Sequence, residues 1–164
     1  NSETSDSIQV SNYPLIWGWA TWRSKWNSSR KHLEPQNVLS LWIRKFSPVA
    51  GFWNAGLIRI RLGVLQSWAL PFATYSKRNR LVNIMPPTNL VINNGFDQYA
   101  THTFDAPTFQ EYTKRELPNQ ILFPKELDAV IDANTFIEKE IYKISFKNIL
   151  SPYFAVFDCI RSRF

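Results

Sequence analysis

The segment Trp17-Gly18-Trp19-Ala20-Thr21-Trp22-Arg23 places three indoles within a single short stretch of chain. Indole faces stack on the apolar faces of sugar rings, and a guanidinium such as that of Arg23 pairs with phosphate or carboxylate. Gly18 allows the backbone to turn, or to approach a ligand closely. The chemistry this pattern suits is recognition of a sugar, or of a sugar carrying an anionic group. A Trp-rich turn that links a strand to a helix inside a core has the same composition, and residue types alone favour that packing role.

A second polar constellation follows later. Pro87-Thr88-Asn89-Leu90-Val91-Ile92-Asn93-Asn94-Gly95-Phe96 leads to Ala100-Thr101-His102-Thr103. The amides of Asn89, Asn93 and Asn94 both donate and accept hydrogen bonds, which suits sugar hydroxyls and uracil-like edges. Gly95 marks a turn. His102, set between Thr101 and Thr103, is of the type that binds a metal or a diphosphate. The ordinary alternative is that the asparagines cap turns and His102 is one more polar side chain, and chemistry alone favours that alternative.

Charge and tryptophan share an uneven distribution. All seven tryptophans lie within residues 17–68. Residues 7–96 contain eleven of the 19 Lys/Arg and one acid, Glu34, whereas the remainder of the chain is close to neutral. A cationic stretch attracts nucleotide diphosphates, nucleic acid or acidic lipid, and a solvated basic surface is the unremarkable alternative. With a pI near 9.6, a non-catalytic basic module for nucleic acid or anionic ligands is the competing functional class. Tryptophans at helical spacing suit a core better than a stacking platform, and no nucleic-acid motif is present, so nucleic acid is not the expected partner.

Around these residues, 164 positions with 45% hydrophobic and 20% charged side chains describe one globular domain or a large part of one. The single cysteine, Cys159, cannot form an intramolecular disulfide. No apolar run approaches the roughly 20 residues that cross a bilayer. The polar start Asn1–Ser7 has no signal-peptide pattern, which makes a cytoplasmic protein the expectation.

The elements are read from periodicity. Residues 1–12 are expected to be loose. Tyr13–Trp17 reads as extended. Trp19–Trp26 has helical spacing, with Trp19, Trp22 and Trp26 on one face. Further helices are predicted over 36–46, over about 53–65, and over 68–79 with Pro71 in the first turn. Leu81–Met85 is a strand ended by Pro86-Pro87, and Asn89–Ile92 a second short extended segment. Two amphipathic helices are predicted over 125–143 and 145–163. In the last, Phe146, Ile149, Leu150, Tyr153, Phe154, Phe157 and Ile160 form one apolar stripe, with Pro152 a kink site. Docking of this stripe on the core is favoured over contact with an acidic membrane surface. The pattern is α/β but helix-rich, with few short strands.

In their order and spacing, WGWATWRSKW, the pair Trp68-Ala69, PPTNLVINNGF and ATHT resemble the C-terminal half of bacterial nucleotide-diphospho-sugar transferases, the family 2-like glycosyltransferases also described as hemolytic-protein-like. Ile121-Leu122-Phe123-Pro124 with Asp128 and Asp132 fits the tail of that family, and the resemblance spans about residues 13–143. A more distant likeness, carried by the Gly-Trp helix start, is to the eukaryotic N-acetylglucosaminyltransferase I group. The resemblance implies the C-terminal portion of a GT-A (Rossmann-like) fold, with 1–12 as a lead-in, 13–143 as the acceptor-side part and 144–164 as a terminal amphipathic helix. It also implies a nucleotide-sugar donor, a surface-polysaccharide acceptor, and Mn²⁺ or Mg²⁺ on the diphosphate of the complete enzyme. His102 is then the candidate metal ligand. Trp17, Gly18, Trp19, Trp22, Arg23, Trp68, Asn89, Asn93, Asn94, Gly95 and Thr101 are the candidate substrate-binding residues. Work at the cytoplasmic side, with peripheral contact to the inner face of the membrane, is the matching location.

The sequence departs from the family pattern twice. It contains no D-x-D. Its nearest lookalike, Glu138-Lys139-Glu140, is expected to be a solvated helix face. The donor-binding half is therefore expected to be missing and the chain inactive on its own. Ala69 stands where the family often has an aspartate after the tryptophan. Glu34 is placed in a connecting loop, and no residue is assigned as catalytic base.

Overall fold

The computed structural model describes residues 7–16, 18–91, 116–123 and 130–161. The chain is helix-rich, with a small two-stranded antiparallel sheet. Strand β1 (Gln9–Ser11) pairs with β2 (Asn83–Met85) in the register Gln9↔Met85, Val10↔Ile84 and Ser11↔Asn83. On the other side of β1, Ser7 bridges Leu122 in parallel. Residues 7–11 are therefore sheet rather than a loose lead-in, and the strand lies before Tyr13 while 13–16 form no regular element, with Trp17 outside the described residues. A three-residue strand carries almost no period-2 signal, and its partner is far along the chain.

Helix α2 (Pro48–Arg61) is the centre of the molecule. Ser47 caps it, with its hydroxyl accepting from the Ala50 amide at 3.2 Å, and Pro48 occupies the first turn where its missing N–H costs nothing. Its start therefore falls five residues before the predicted Trp53. Buried residues run around most of its circumference, including Trp53, Leu57 and Ile60. Trp53 joins Tyr13, Ala73 and Ile137 in one core cluster, and Leu57 and Ile60 join Val38 and Leu41 in a second.

Helix α1 (Arg23–Arg30) begins four residues later than Trp19, with Trp22 at its N-cap in extended backbone. The three indoles therefore do not share one helical face. Trp22 is 74% exposed, and Trp19 packs against Trp26 from outside the helix. Between α1 and α2, only a short 3₁₀ turn (Val38–Leu41) forms where a helix was predicted over 36–46. The Asn54 amide accepts from the Ile43 N–H and donates to the Ile43 carbonyl at 2.9 and 3.0 Å. That satisfies backbone groups in an extended link and removes the need for a further helical turn. Helix α3 (Ala69–Arg78) follows its prediction closely, with Pro71 in the first turn. Residues 89–91 form no regular element.

Helix α4 (Val130–Phe136) runs directly into a π-helical turn, Ile137–Ile141. The Glu138 carboxylate there is half-buried rather than on a solvated face: it accepts from the Tyr13 hydroxyl and from the Lys77 ammonium, each at 2.6 Å. The Lys77 nitrogen also sits 4.3 Å from the Tyr13 ring centroid. Burial, then the bond to Glu138 and its negative charge, push the Tyr13 phenol well above its usual range. Burial pushes Tyr142, packed on Trp53 at 5.0 Å, up to about 12. Lys139 and Glu140 do remain exposed.

The C-terminal helix predicted over 145–163 is divided. A 3₁₀ turn, Phe146–Leu150, opens with a capping box between Ser145 and Asn148, and α5 (Ser151–Arg161) follows with Pro152 near its start. The predicted docking of the large apolar stripe is reversed. The buried residues of α5 are Ala155 and Cys159, whereas Phe146 is 83% exposed and Leu150, Tyr153, Phe154, Phe157 and Ile160 are also exposed. Close approach explains this. A Cβ on Gly51 of α2 would lie 1.9 Å from the Asn148 carbonyl oxygen, so the backbones touch there. Only small side chains fit in the seam beyond. Asp158 pairs with Arg59 of α2 at 3.5 Å across the edge of the contact. Among the described residues, no helix is long and apolar enough to cross a membrane.

Candidate functional site

The indoles gather where α1 meets the start of α3. Trp19 lies 5.6 Å from Trp68 and 5.0 Å from Phe72, ring centre to ring centre. Trp26 lies 6.0 Å from Trp68, edge to face, and 5.8 Å from Phe72. Trp26 projects from the middle of α1, Trp68 stands at the N-cap of α3, and Phe72 is one turn further on. Such offset and edge-on pairs hold one another in orientation. Trp68 is nevertheless 46% exposed, so part of its face remains open.

A cleft of about 410 Å³ opens beside this cluster, lined by Trp26, Arg30, Leu33, Glu34 and Trp68. Arg30 follows Trp26 by one helical turn and therefore shares its face of α1. Glu34 lies in the turn after α1, and the oxygen Oε2 accepts from the amides of Gln36 at 2.5 Å and Asn37 at 3.5 Å. The Asn37 amide also donates to the Lys31 carbonyl at 2.8 Å, closing the turn on itself. His32 braces the same turn from below: its Nδ1 lies 2.8 Å from the Ser40 hydroxyl, and its ring stacks on Tyr75 of α3 at 5.4 Å. Burial, then the positive charges of Lys31 and Arg78, lower the pKa of His32. The cleft thus offers two indole surfaces, one cation and one anion within a single depression. A second cleft of about 370 Å³ adjoins it, lined by Leu33, Pro35, Ile60, Arg61, Gly63, Leu65, Gln66, Ser67 and Trp68.

Of the residues singled out in the sequence, Trp19 and Trp68 come together in the aromatic cluster. Trp22 and Arg23 are exposed and do not line either cleft. Gly18 has a positive φ of 64°, and a Cβ added there would meet Val91 Cγ2 at 2.5 Å. The Trp-rich segment therefore touches Val91, within the asparagine-bearing stretch that starts at Asn89. Asn89 is half-buried in that approach. Trp17, Asn93, Asn94, Gly95, Thr101 and His102 lie outside the described residues. The residues not singled out as binding groups are Trp26, Arg30 and Glu34. The signal for Glu34 was in the charge count, as the single acid of residues 7–96.

Among the described residues no group of three or more His, Cys, Asp or Glu side chains comes together. No family model, no curated protein and no solved structure matches the chain.

Proposed function

We propose that the chain is the acceptor-side part of a nucleotide-sugar-dependent glycosyltransferase of GT-A type, acting on a surface polysaccharide in the cytoplasm, and that the Trp26–Trp68 cleft is its acceptor subsite. The observation that carries this reading is the pairing of two indole surfaces with Arg30 and Glu34 in one depression. Indoles cover the apolar faces of a pyranose, while a guanidinium donates to its oxygens and a carboxylate accepts from its hydroxyls. In the transfer, the acceptor hydroxyl oxygen bonds to the anomeric carbon, the bond to the nucleotide diphosphate breaks, and the hydroxyl proton passes to a base. Glu34 is the carboxylate the cleft presents for that proton, in place of the aspartate absent at Ala69.

The contact of Gly18 with Val91 supports the same reading, since it brings the Trp-rich segment against the stretch that carries Asn89. The test is transfer of radiolabelled sugar from uridine and guanosine diphosphate sugars with Mn²⁺ onto polysaccharide acceptors, by this chain and by a longer form, together with Glu34→Gln. The reading expects sugar-specific transfer that Glu34→Gln lowers by about 10²-fold or more, without weakening acceptor binding to the same degree. Transfer unchanged by Glu34→Gln would remove that residue from the mechanism. Binding to nucleic acid with a steep salt dependence, and none to sugars, would favour the basic-module alternative instead.

A further inference from the structure

The two clefts are not separate features. Both are lined by Leu33 and Trp68, so they form adjoining depressions that share one half-exposed indole. They differ in charge. The first holds Arg30 and Glu34, a cation with an anion. The second holds Arg61 with the polar Gln66 and Ser67, and among the described residues no acid lines it. Arg61 is exposed and belongs to none of the ion pairs among the described residues, which join Arg59 to Asp158, Lys77 to Glu138 and Lys143 to Glu140. It lies in the last turn of α2, where the helix dipole favours a positive charge. Gly63, at a positive φ of 77°, has open space where a Cβ would lie.

The geometry points to an oligosaccharide of at least two units as the ligand, lying across Trp68, with a neutral sugar between Trp26 and Glu34 and an acidic sugar, bearing carboxylate or phosphate, at Arg61. The inference rests on the sugar-binding reading of the first cleft and adds its length and charge. One indole shared by two depressions presents a stacking surface to the ligand at the junction, as aromatic platforms do for successive rings. A planar guanidinium with no anionic partner among the described residues selects the acidic group at the far end.

The test is calorimetric titration of the full chain with oligosaccharides of alternating glucuronic acid and N-acetylglucosamine, from one to four units, and with their carboxyl-reduced neutral counterparts. The two-unit acidic ligand should bind about tenfold more tightly than either monosaccharide. Arg61→Gln should bring the acidic ligand down to the level of its neutral counterpart and leave the neutral one unchanged. Arg61→Lys should keep part of the preference, which separates charge from a folding defect. Affinity independent of chain length, or an equal loss for acidic and neutral ligands in Arg61→Gln, would overturn the inference. If single sugars bind in a Trp68-dependent way but longer ones gain nothing, the extended groove fails while the first cleft stands. If no sugar of any length binds, both fail.

Discussion

Two aromatic-rich regions of this molecule have opposite constructions. Around Trp19, Trp26, Trp68 and Phe72 the rings pack on each other at 5.0–6.1 Å and frame a depression that also holds Arg30 and Glu34. Along α5 and the turn before it, Phe146, Tyr153, Phe154 and Phe157 point away from α2, with none of them among the stacked ring pairs of the described residues. The first arrangement fixes ring orientation and supplies hydrogen-bonding groups beside the rings, which is what recognition of a polar ligand needs. The second supplies apolar area alone. Aromatic content therefore says little about function until the polar neighbours are known.

Substitutions can break this contrast at different points. The largest effect is expected at Gly51→Ala. The added methyl would overlap the Asn148 carbonyl and push the α5 region off α2, costing about 3 kcal/mol and lowering the Tm on the order of 10 °C. Sugar binding at the Trp26–Trp68 cleft should survive in the fraction that remains folded. Loss of binding at temperatures where the variant is folded would show that the two regions depend on each other.

Glu138→Gln comes next. It removes the anion that Lys77 and Tyr13 share, both sides of the pair being about one-fifth exposed, and should cost about 2 kcal/mol in denaturant unfolding. Tyr13→Phe, which removes one hydroxyl, should cost about 1 kcal/mol. Both act on the junction between the N-terminal segment and the C-terminal elements, and neither should alter acceptor affinity.

A smaller effect should appear with pH. The folded pKa of His32 lies below its usual value, so the unfolded chain takes up the proton first as pH falls. The stability this histidine contributes is complete above the unfolded pKa of about 6.5 and is lost as pH drops through the lower folded value. Between pH 7 and 5 the Tm should fall, and His32→Gln should flatten part of that slope. An identical slope in the variant would remove His32 from the account. Smallest of all, Phe154→Ser with Phe157→Ser should leave Tm and sugar binding nearly unchanged, because neither ring is buried, while reducing binding of a hydrophobic dye.

Legibility in the sequence followed the length and punctuation of each element. Helix α3 and strand β2 were readable because Pro71 fits only a first turn and Pro86-Pro87 stops a ladder. The extent of α2 was obscured because burial around most of its circumference erases the amphipathic period that reveals a helix. β1 was missed for want of length. The stripe on α5 was real as a pattern, but which face of the helix docks is decided by the Gly51–Asn148 contact, a meeting of residues far apart in sequence. At the candidate site, Trp19 and Trp68 were legible as chemical types. Glu34 was not, because only the fold of the turn at Gln36 and Asn37 brings a loop glutamate into the same depression as Trp26 and Trp68.

The most direct test of the central claim is titration of acceptor saccharides into the intact chain and into Trp68→Ala, with Trp68→Phe as the variant that retains an aromatic face. Stacking at this ring predicts saturable binding that Trp68→Ala weakens by about tenfold or more and Trp68→Phe largely keeps. Equal affinity in all three proteins, or no saturable binding in the parent chain, would contradict it.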